Sequence, residues 1–255
     1  MVTPSPTVED LTLPRILCLH GGGVNSEVFH AQSRALIKSL PTFRLVFADG
    51  PFYCEPGPGI VPVYEDYGPF RRWLRWIPGE HAEIDDESAI EEVLYSIETC
   101  KKEDKGTGPW VGLLGFSQGA KLSASLLYDQ QVRIEKAGTA ETDYKFAVLL
   151  AGRQPLISFS EYSVGPAVLP AGAISEGFWY DGPNEHVLKL PTIHVHGMSD
   201  PGLHLHRRLM DQYCDKKGVT LVEWDGGHRV PLKKTDVDRI VKEIYRVAKE
   251  QGVRC

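Results

Sequence analysis

Six short apolar runs, separated by turns and amphipathic stretches, constrain the fold of this 255-residue chain most strongly. Short, nearly continuous apolar runs are typical of strands buried on both faces of a parallel sheet. Helical spacing separates most of them, as in Val28, Phe29, Ala35 and Leu36 after the first run. The runs cover residues 15–19, 43–48, 110–116, 146–151, 191–197 and 219–224, and the helical stretches cover 26–39, 85–103, 119–128, 203–217 and 233–250. This alternation predicts an α/β fold with a mostly parallel central sheet and helices on both faces.

The length of the chain suits one large α/β domain. We predict that residues 15–255 form this domain and that residues 1–14, which contain three prolines, form a flexible lead-in. Two long stretches, 52–82 and 152–188, lack helical or strand periodicity and are rich in aromatic residues. Loops of this length inside a compact domain are usually functional. We therefore expect them to be small lid or cap insertions that shape a pocket.

Composition and charge exclude several classes of protein. Apolar residues make up 42% and charged residues 24%, which is ordinary for a globular protein, and the formal net charge is −6. Binding to nucleic acid needs a basic face, and binding to an anionic membrane needs a polybasic patch, so neither partner is expected. The five cysteines are odd in number and widely spaced, and the N-terminus lacks the pattern of a secretory signal. We expect a cytoplasmic protein with free thiols.

A candidate nucleophile lies in the sequence Gly115-Phe-Ser-Gln-Gly119, which fits G-x-S-x-G. The apolar run 110–116 precedes Ser117 and a helical stretch follows it, which is the strand–turn–helix setting of a nucleophile elbow. The flanking glycines allow a tight turn, and the nearby helix N-terminus favours a developing negative charge. The pattern predicts that Ser117 is the nucleophile of a serine hydrolase.

A serine hydroxyl needs an adjacent base, and in this arrangement the chain order is serine, acid, histidine. Asp200 follows the run 191–197 and His228 follows the run 219–224, so both lie where strands end. Asp225 and Asp181 are alternative acids, but Asp225 precedes His228 in the same turn and Asp181 lies in an irregular stretch. We predict His228 as the general base and Asp200 as the acid that orients it.

An oxyanion hole needs two backbone N–H groups that point at the reacting oxygen. One is expected from Gln118, the residue after the serine, and the other from the loop after the first strand. In that loop Gly22 is the first choice and Gly23 the second, because glycine lets the backbone approach a substrate closely. His20 is expected to bridge loops by hydrogen bonds.

A cluster of histidines offers an alternative metal site. His194, His196, His204 and His206 lie near Asp200 in sequence. His194 and His196 fall on the same side of a predicted strand, with no carboxylate at the usual ligand spacing. We therefore expect neither a metal nor an organic cofactor.

Several blocks of the sequence resemble the fungal serine hydrolase family of α/β-hydrolases. They occur in the expected order along nearly the whole chain, and the spacing of the three candidate catalytic residues agrees as well. The blocks are Leu19 to Phe29 with Gln32, Phe43 to Pro51, Arg72-Trp73, Gly115 to Ala120, His196 to Asp200 and Gly226 to Pro231. Within the family the chain is most similar to stand-alone, lovastatin-type releasing thioesterases of fungal polyketide synthase clusters.

The resemblance implies that the chain hydrolyses an acyl thioester on the acyl carrier protein of a polyketide synthase and releases a polyketide or fatty acyl chain as the free acid. The candidate substrate-binding residues are Tyr64, Phe70, Trp73, Trp76, Phe178 and Trp179, with Arg229 and Val230 beside His228. The aromatic residues either form an apolar acyl pocket or pack the lid onto the core. On a helix, Trp73 and Trp76 would share a face. The interleaved Arg71, Arg72 and Arg75 are candidate contacts for the carrier protein.

Two other functions stay open at this point. A carboxylesterase that acts on small free esters would need the same three catalytic residues. A non-catalytic module that only binds a carrier protein would not need all three. The sequence also leaves the oligomeric state open, a dimer included.

Overall fold

A computed structural model describes residues 10–79, 81–183 and 186–255. Residues 1–9 of the predicted lead-in therefore lie outside the described residues. In chain order the elements are β1 (Arg15–Leu19), α1 (Ser26–Gln32), α2 (Arg34–Ser39), β2 (Arg44–Ala48), β3 (Phe52–Tyr53), a 3₁₀ turn (Glu65–Tyr67), β4 (Arg71–Arg72), α3 (Asp86–Glu103), β5 (Trp110–Phe116), α4 (Gln118–Ala137), β6 (Phe146–Leu150), β7 (Leu156–Ile157), β8 (Val168–Leu169), β9 (Thr192–Gly197), α5 (Leu203–Tyr213), β10 (Val219–Trp224) and α6 (Lys234–Glu250).

The six apolar runs form one sheet in the order β10-β9-β6-β5-β1-β2, and every neighbouring pair is parallel. In the middle of this register Cys18 of β1 lies between Phe47 of β2 and Leu114 of β5. The predicted parallel sheet is confirmed. Its carboxyl-terminal edge gathers the loops that follow β1, β5, β6, β9 and β10.

Alternate residues of β1 face two separate hydrophobic cores, as expected for a strand covered on both faces. Leu17 and Leu19 pack in a core with α3, α4 and α5. Ile16 and Cys18 pack in a second core with α1, α2 and α6. The predicted cover of helices on both faces of the sheet is therefore confirmed.

Three helices differ from the sequence-based prediction, and one of them is α5, which ends at Tyr213 and not at residue 217. The stretch 26–39 is two helices, because Ser33 takes φ −89° and ψ 4° and its N–H donates to the carbonyls of both Phe29 and His30. Helix α4 runs beyond residue 128 to Ala137. Its polar continuation is buried because the side-chain amide of Gln130 both donates to and accepts from the backbone of Tyr144.

The two irregular segments contain little regular structure. In 52–82, β3 and β4 form a short antiparallel pair, and residues 73–76 are not helical. Trp73 and Trp76 therefore do not share a helical face. In 152–188, β7 and β8 form a short parallel pair. Across the described residues, no helix combines the length and the apolar character that crossing a membrane would demand.

Candidate active site

Ser117 occupies a sharp turn between β5 and α4. Its backbone has φ 53° and ψ −111°, a conformation that residues with a side chain rarely adopt. The Ser117 N–H donates to the Leu150 carbonyl at 2.8 Å, which ties the turn to β6. A Cβ at Gly115 would lie 2.2 Å from the Gly119 carbonyl oxygen, and one at Gly119 would lie 1.9 Å from that of Leu19. Glycine is therefore required on both sides of the serine.

The strand order brings three distant side chains into one hydrogen-bonded chain. Ser117 Oγ lies 2.9 Å from His228 Nε2, and His228 Nδ1 lies 2.7 Å from Asp200 Oδ2. A carboxylate only accepts hydrogen bonds, so Nδ1 carries the imidazole proton. The Nε2 lone pair then accepts the hydroxyl hydrogen of Ser117. The geometry is that of a nucleophile beside a base that a third group orients.

Asp200 lies in a buried, strongly hydrogen-bonded position. Its Oδ1 accepts from the Gly202 N–H at 2.7 Å. Burial favours the neutral acid, but the hydrogen bonds from Gly202 and His228 outweigh it and hold the pKa of Asp200 below its usual value. The carboxylate therefore stays charged at neutral pH. The alternative acid Asp181 pairs with Arg208 at 3.3 Å, and the alternative Asp225 is exposed.

The backbone N–H groups of the first-choice oxyanion donors have no acceptor within the described chain. Among the described residues, neither the Gly22 N–H nor the Gln118 N–H donates a hydrogen bond. Gly23 differs, because its N–H donates to the Arg71 carbonyl at 3.0 Å. The prediction of Gly23 as an oxyanion donor is therefore wrong, and Gly22 and Gln118 remain the candidate donors.

His20 fixes the loop that carries Gly22. Its Nδ1–H donates to the Gly21 carbonyl at 2.6 Å, and its Nε2 accepts from the Gly50 N–H at 2.8 Å. Burial lowers the pKa of His20 to about 4, so the ring is neutral at pH 7. These bonds agree with the bridging role that the sequence suggested.

The Gln118 side chain holds the first irregular segment, 52–82, against this site. Its Oε1 accepts from the Trp73 N–H at 2.7 Å and the Leu74 N–H at 3.1 Å, and its Nε2 donates to the Leu74 carbonyl at 3.1 Å. The Trp73 indole N–H donates to the His20 carbonyl at 3.0 Å. Sequence reasoning assigned Gln118 a role through its backbone alone. No local pattern could reveal the side-chain role, because the partners lie 44 and 45 residues away.

Trp76 is the predicted pocket residue that lies against the oxyanion donors. A Cβ at Gly22 would lie 2.7 Å from the Trp76 ring. The Trp76 N–H donates to His81 Nδ1 at 3.3 Å, and the two rings pack edge to face at 4.5 Å. The His81 ring therefore helps to hold this indole against Gly22.

Four other predicted pocket residues are packed into hydrophobic clusters. Trp73 is fully buried, and Val230 is 4% exposed in the core on the α6 side. The prediction that these two residues contact substrate is wrong, since neither offers surface to a ligand. Phe70 is buried and Tyr64 partly buried in a small cluster with Val24, Val28 and Ile60. They pack the first segment onto α1, the packing alternative that the sequence left open.

The remaining predicted contacts stay predictions. Trp179 is 65% exposed, with the Arg208 guanidinium 3.2 Å from its ring centre. Phe178 is partly buried against the core. The Arg229 guanidinium lies 5.5 Å from the ring centre of Trp224.

Three histidines of the metal alternative, His194, His196 and His206, form a buried row that ends at His228, whereas His204 is exposed and lies outside this row. Ring centres are 5.8 Å apart between His194 and His196, 5.7 Å between His196 and His206, and 6.1 Å between His206 and His228. Burial lowers the pKa of His194 and of His206 to about 3 and that of His196 to about 4, so these rings are neutral. Ligand atoms of Asp200, His206 and His228 lie within 4.8 Å of one another. A metal there would have to replace the Asp200–His228 hydrogen bond.

Comparisons with known proteins agree with this geometry. The family model described as "Serine hydrolase (FSH1)" matches residues 10–240. Esterase citA of Monascus ruber is 50% identical over 250 residues, which cover 96% of this chain and 95% of that protein. Probable esterase tazC of Aspergillus terreus is 50% identical over 264 residues, which cover 97% of each.

The solved structure of Zea mays acyl-protein thioesterase 2 has a TM-score of 0.58 at 16% identity and covers 96% of both chains. At this identity the likeness shows a shared fold. The chain therefore belongs to the FSH1 family, and it is a serine hydrolase of ester or thioester bonds built on the α/β-hydrolase fold.

Proposed function

We propose that this hydrolase releases a polyketide or fatty acyl chain from the thioester of an acyl carrier protein as the free acid. The observation that carries the chemistry is the hydrogen-bonded chain from Asp200 through His228 to Ser117. The choice of a carrier-bound thioester is supported by the resemblance of the sequence blocks to stand-alone releasing thioesterases. No step of the proposal requires a metal or an organic cofactor.

In the first half of the reaction Ser117 Oγ attacks the thioester carbonyl carbon while His228 Nε2 takes the hydroxyl proton. The Asp200 carboxylate stabilises the imidazolium that forms. When the tetrahedral intermediate collapses, the C–S bond breaks and His228 returns its proton to the leaving sulfur. The products are a thiol and an acyl group bonded to Ser117.

In the second half a water molecule gives a proton to His228 Nε2 and its oxygen attacks the acyl carbonyl. Collapse breaks the bond to Ser117 Oγ, which regains the proton from His228. In both halves the N–H groups of Gly22 and Gln118 would hold the oxyanion. Removal of one such donor costs about 2.7–4 kcal/mol in comparable sites.

Fewer arginines are available to contact a carrier protein than the sequence suggested. Arg72 is 5% exposed and its guanidinium lies over the Phe52 ring, so it has no surface for a partner. Arg71 and Arg75 are partly exposed, but they donate to the Gly50 and Gly172 carbonyls. These two arginines remain candidates for the carrier's acidic surface.

A second candidate function is a carboxylesterase that acts on small free esters. It is favoured by the names of the relatives, since both of those compared above are called esterases. The two functions differ in the relative kcat/KM for acyl thioesters on a carrier protein and for p-nitrophenyl esters of the same acyl group. A carrier thioesterase prefers the former by more than tenfold.

The nucleophile is tested by labelling with a fluorophosphonate. Ser117→Ala should abolish covalent labelling and turnover, since no oxygen remains to attack. Ser199→Ala is the control, because Ser199 is exposed and lies beside Asp200. Labelling of Ser117→Ala at the wild-type rate would show that another residue is the nucleophile. Absence of labelling and of turnover in the wild type would instead favour the non-catalytic binding module.

A further inference from the structure

Two positively charged side chains near the site have no partner in the described part of the chain. Lys121 is 7% exposed, and its ammonium makes neither a hydrogen bond nor an ion pair there. Arg153 Nε is buried without a hydrogen-bond partner, and no carboxylate of the described residues pairs with its guanidinium. The loop that carries Arg153 packs on the same turn of α4, since a Cβ at Gly152 would lie 3.1 Å from the Ala120 Cβ, and the charge of Arg153 acts on Lys121.

Lys121 lies one helical turn from the nucleophile, and Arg153 lies against the loop that follows the acid. Lys121 is four residues after Ser117 and its N–H donates to the Ser117 carbonyl, so it is about 6 Å further along α4. Side chains on a helix lean toward its N-terminus, which here is the end that carries Ser117. Arg153 follows β6, which lies between β5 and β9 in the sheet. Its Nη2 lies against Gly202, 2.7 Å from where a Cβ there would be.

An unpaired charge in such a position is unfavourable for the folded protein. Taking a charge out of water is costly unless an opposite charge or hydrogen bonds compensate. Burial first, and then the neighbouring Arg153, lower the pKa of Lys121 to about 7. A bound anion would favour the charged lysine and supply the partner that the fold omits. Unpaired charged groups beside catalytic residues are typical of ligand sites.

We propose that Lys121 and Arg153 bind an anionic oxygen group of the acyl chain, such as a carboxylate. This rests on the proposed function and deepens it, because it names the class of acyl group that the enzyme takes. The anion lies on the acyl side of the thioester, only a few bonds from the carbonyl that Ser117 attacks. Arginine suits a carboxylate through paired N–H donors, and lysine adds a point charge.

The phosphate of a phosphopantetheine arm does not fit this position. That phosphate lies a whole pantetheine length from the thioester sulfur, whereas Lys121 lies one helical turn from Ser117. A carboxylate within the acyl chain needs no such reach. The two sources therefore predict different responses to changes in the acyl group and in the arm.

The test compares N-acetylcysteamine thioesters of dicarboxylic acids, from succinyl to suberyl, with neutral straight-chain acyl thioesters of matched length. The wild-type enzyme should show a higher kcat/KM for at least one carboxylated member, and these thioesters contain no phosphate. In Lys121→Met, and separately in Arg153→Met, the ratio of carboxylated to neutral kcat/KM should fall at least tenfold. In Lys121→Met, loss of an unpaired buried charge should leave the melting temperature equal or higher, which separates this effect from misfolding.

The matched control is Lys136→Met, since Lys136 lies on the same helix but bonds to the Tyr162 carbonyl at 2.6 Å. Its ratio should stay at the wild-type value. The proposal is overturned if the wild type prefers no carboxylated member, or if the preference survives in both variants. A preference for phosphate-bearing arms that disappears in Lys121→Met would instead assign the site to the pantetheine phosphate.

Failure of the thioesterase function itself would look different. In that case wild-type enzyme would cleave p-nitrophenyl esters but no acyl thioester. The site is then tested by protection: glutarate should slow labelling of Ser117 by a neutral fluorophosphonate in the wild type, and neutral pentanamide should not. Equal protection of wild type and Lys121→Met by glutarate, or none in either, would reject the anion site.

Discussion

The two irregular segments, 52–82 and 152–188, are similar in length and aromatic content but are attached to different parts of the molecule. The first is bound to the loops that surround Ser117. The second begins beside the catalytic loops at Arg153, but the rest of it is bound mainly to the side of α4, away from its N-terminus. Hydrogen bonds made by side chains of α4 contribute to both attachments.

The first segment meets the backbone around Gly22 on several sides. The Gly57 N–H donates to the Gly23 carbonyl at 2.9 Å, and the Arg71 N–H donates to the Val24 carbonyl at 2.7 Å. The three hydrogen bonds of Gln118 complete the attachment. A shift of this segment should therefore move Gly22, the predicted oxyanion donor.

The second segment is held by polar side chains that α4 buries further along its length. Ser125 Oγ accepts from the Ile157 N–H at 2.8 Å, and the Asp129 carboxylate accepts from the hydroxyls of Ser160 and Ser163. Gln131 Nε2 donates to the Val187 carbonyl at 3.0 Å. These groups lie two to four turns from Ser117. Loss of such a contact should lower the free energy of unfolding and leave the catalytic side chains in place.

The largest expected effect comes from Gly22→Ala. The new Cβ would lie 2.7 Å from the Trp76 ring, so the loop or the indole must move. Displacement of one oxyanion donor lowers kcat by about 10²–10³. The control is Gly165→Ala in the second segment, where a Cβ meets nothing within 4 Å. The measurement is kcat for p-nitrophenyl acetate by steady-state kinetics. An unchanged kcat in Gly22→Ala would show that the contact of the first segment with Gly22 does not affect catalysis.

A matched pair of glutamines on α4 sharpens the comparison. Gln118 holds Trp73 and Leu74 in the first segment, whereas Gln131 holds Val187 and accepts from the Lys189 N–H at 2.6 Å. Gln118→Ala should lower kcat about tenfold to hundredfold, or about 1.4–2.7 kcal/mol in the barrier.

Gln131→Ala should lower the free energy of unfolding by about 1–3 kcal/mol, since it leaves buried backbone groups unpaired, without a change in kcat. Urea unfolding and turnover of p-nitrophenyl acetate, measured on both variants, give the two readouts. If both glutamines change kcat equally, the two segments do not differ in the way proposed.

A smaller effect is expected from Asp129→Asn. An amide has one acceptor oxygen in place of two, and it loses the ion pair with Arg133 Nε at 2.6 Å. The free energy of unfolding should fall by about 1–2 kcal/mol, because both hydroxyls already share Oδ1 and the amide nitrogen that replaces Oδ2 cannot accept from Arg133. Urea denaturation measures this, and kcat should stay within twofold of the wild type. A large loss of kcat would mean that the second segment also reaches the catalytic groups.

The sheet and the Ser117, His228 and Asp200 cluster were predictable because each depends on local patterns. Apolar runs identify the strands, and the three residues follow three of those strands directly. Parallel strands then bring their carboxyl ends to one edge, whatever their separation in sequence.

The functions of the segments were not predictable in the same way. The partners of Gln118 lie 44 and 45 residues away in a segment without periodicity, and hydrogen bonding to backbone leaves no pattern in the partner sequence. The burial of Trp73 and Val230 likewise depends on tertiary packing, since an aromatic or apolar residue in a loop suits a pocket and a core equally. Lys121 lies on α4 and Arg153 lies in the loop after β6. Nothing in the local sequence of either residue predicts that the two lie near each other.

The smallest effect concerns pH and the end of the second segment. His186 is buried between Tyr180 and Tyr213, with ring centres 5.6 Å and 4.5 Å away, and its Nε2 has no hydrogen-bond partner in the described chain. Burial lowers its pKa below the ordinary value of 6.5, although a backbone contact at Gln212 acts the other way.

Below pH 6.5 the unfolded chain therefore takes up a proton at His186 that the folded chain does not. The free energy of unfolding falls as the pH decreases toward the folded pKa, by up to about 1.4 kcal/mol per pH unit for one proton. His186→Phe removes this titration and keeps an aromatic ring, so urea denaturation between pH 6.5 and pH 5 should show a shallower loss of stability than the wild type. Since the second segment acts on folding, the pH profile of kcat should be the same in both proteins. If the free energy of unfolding falls equally with pH in both proteins, the folded chain does not protect His186 from protonation. The end of the second segment then does not pack against α5 in solution.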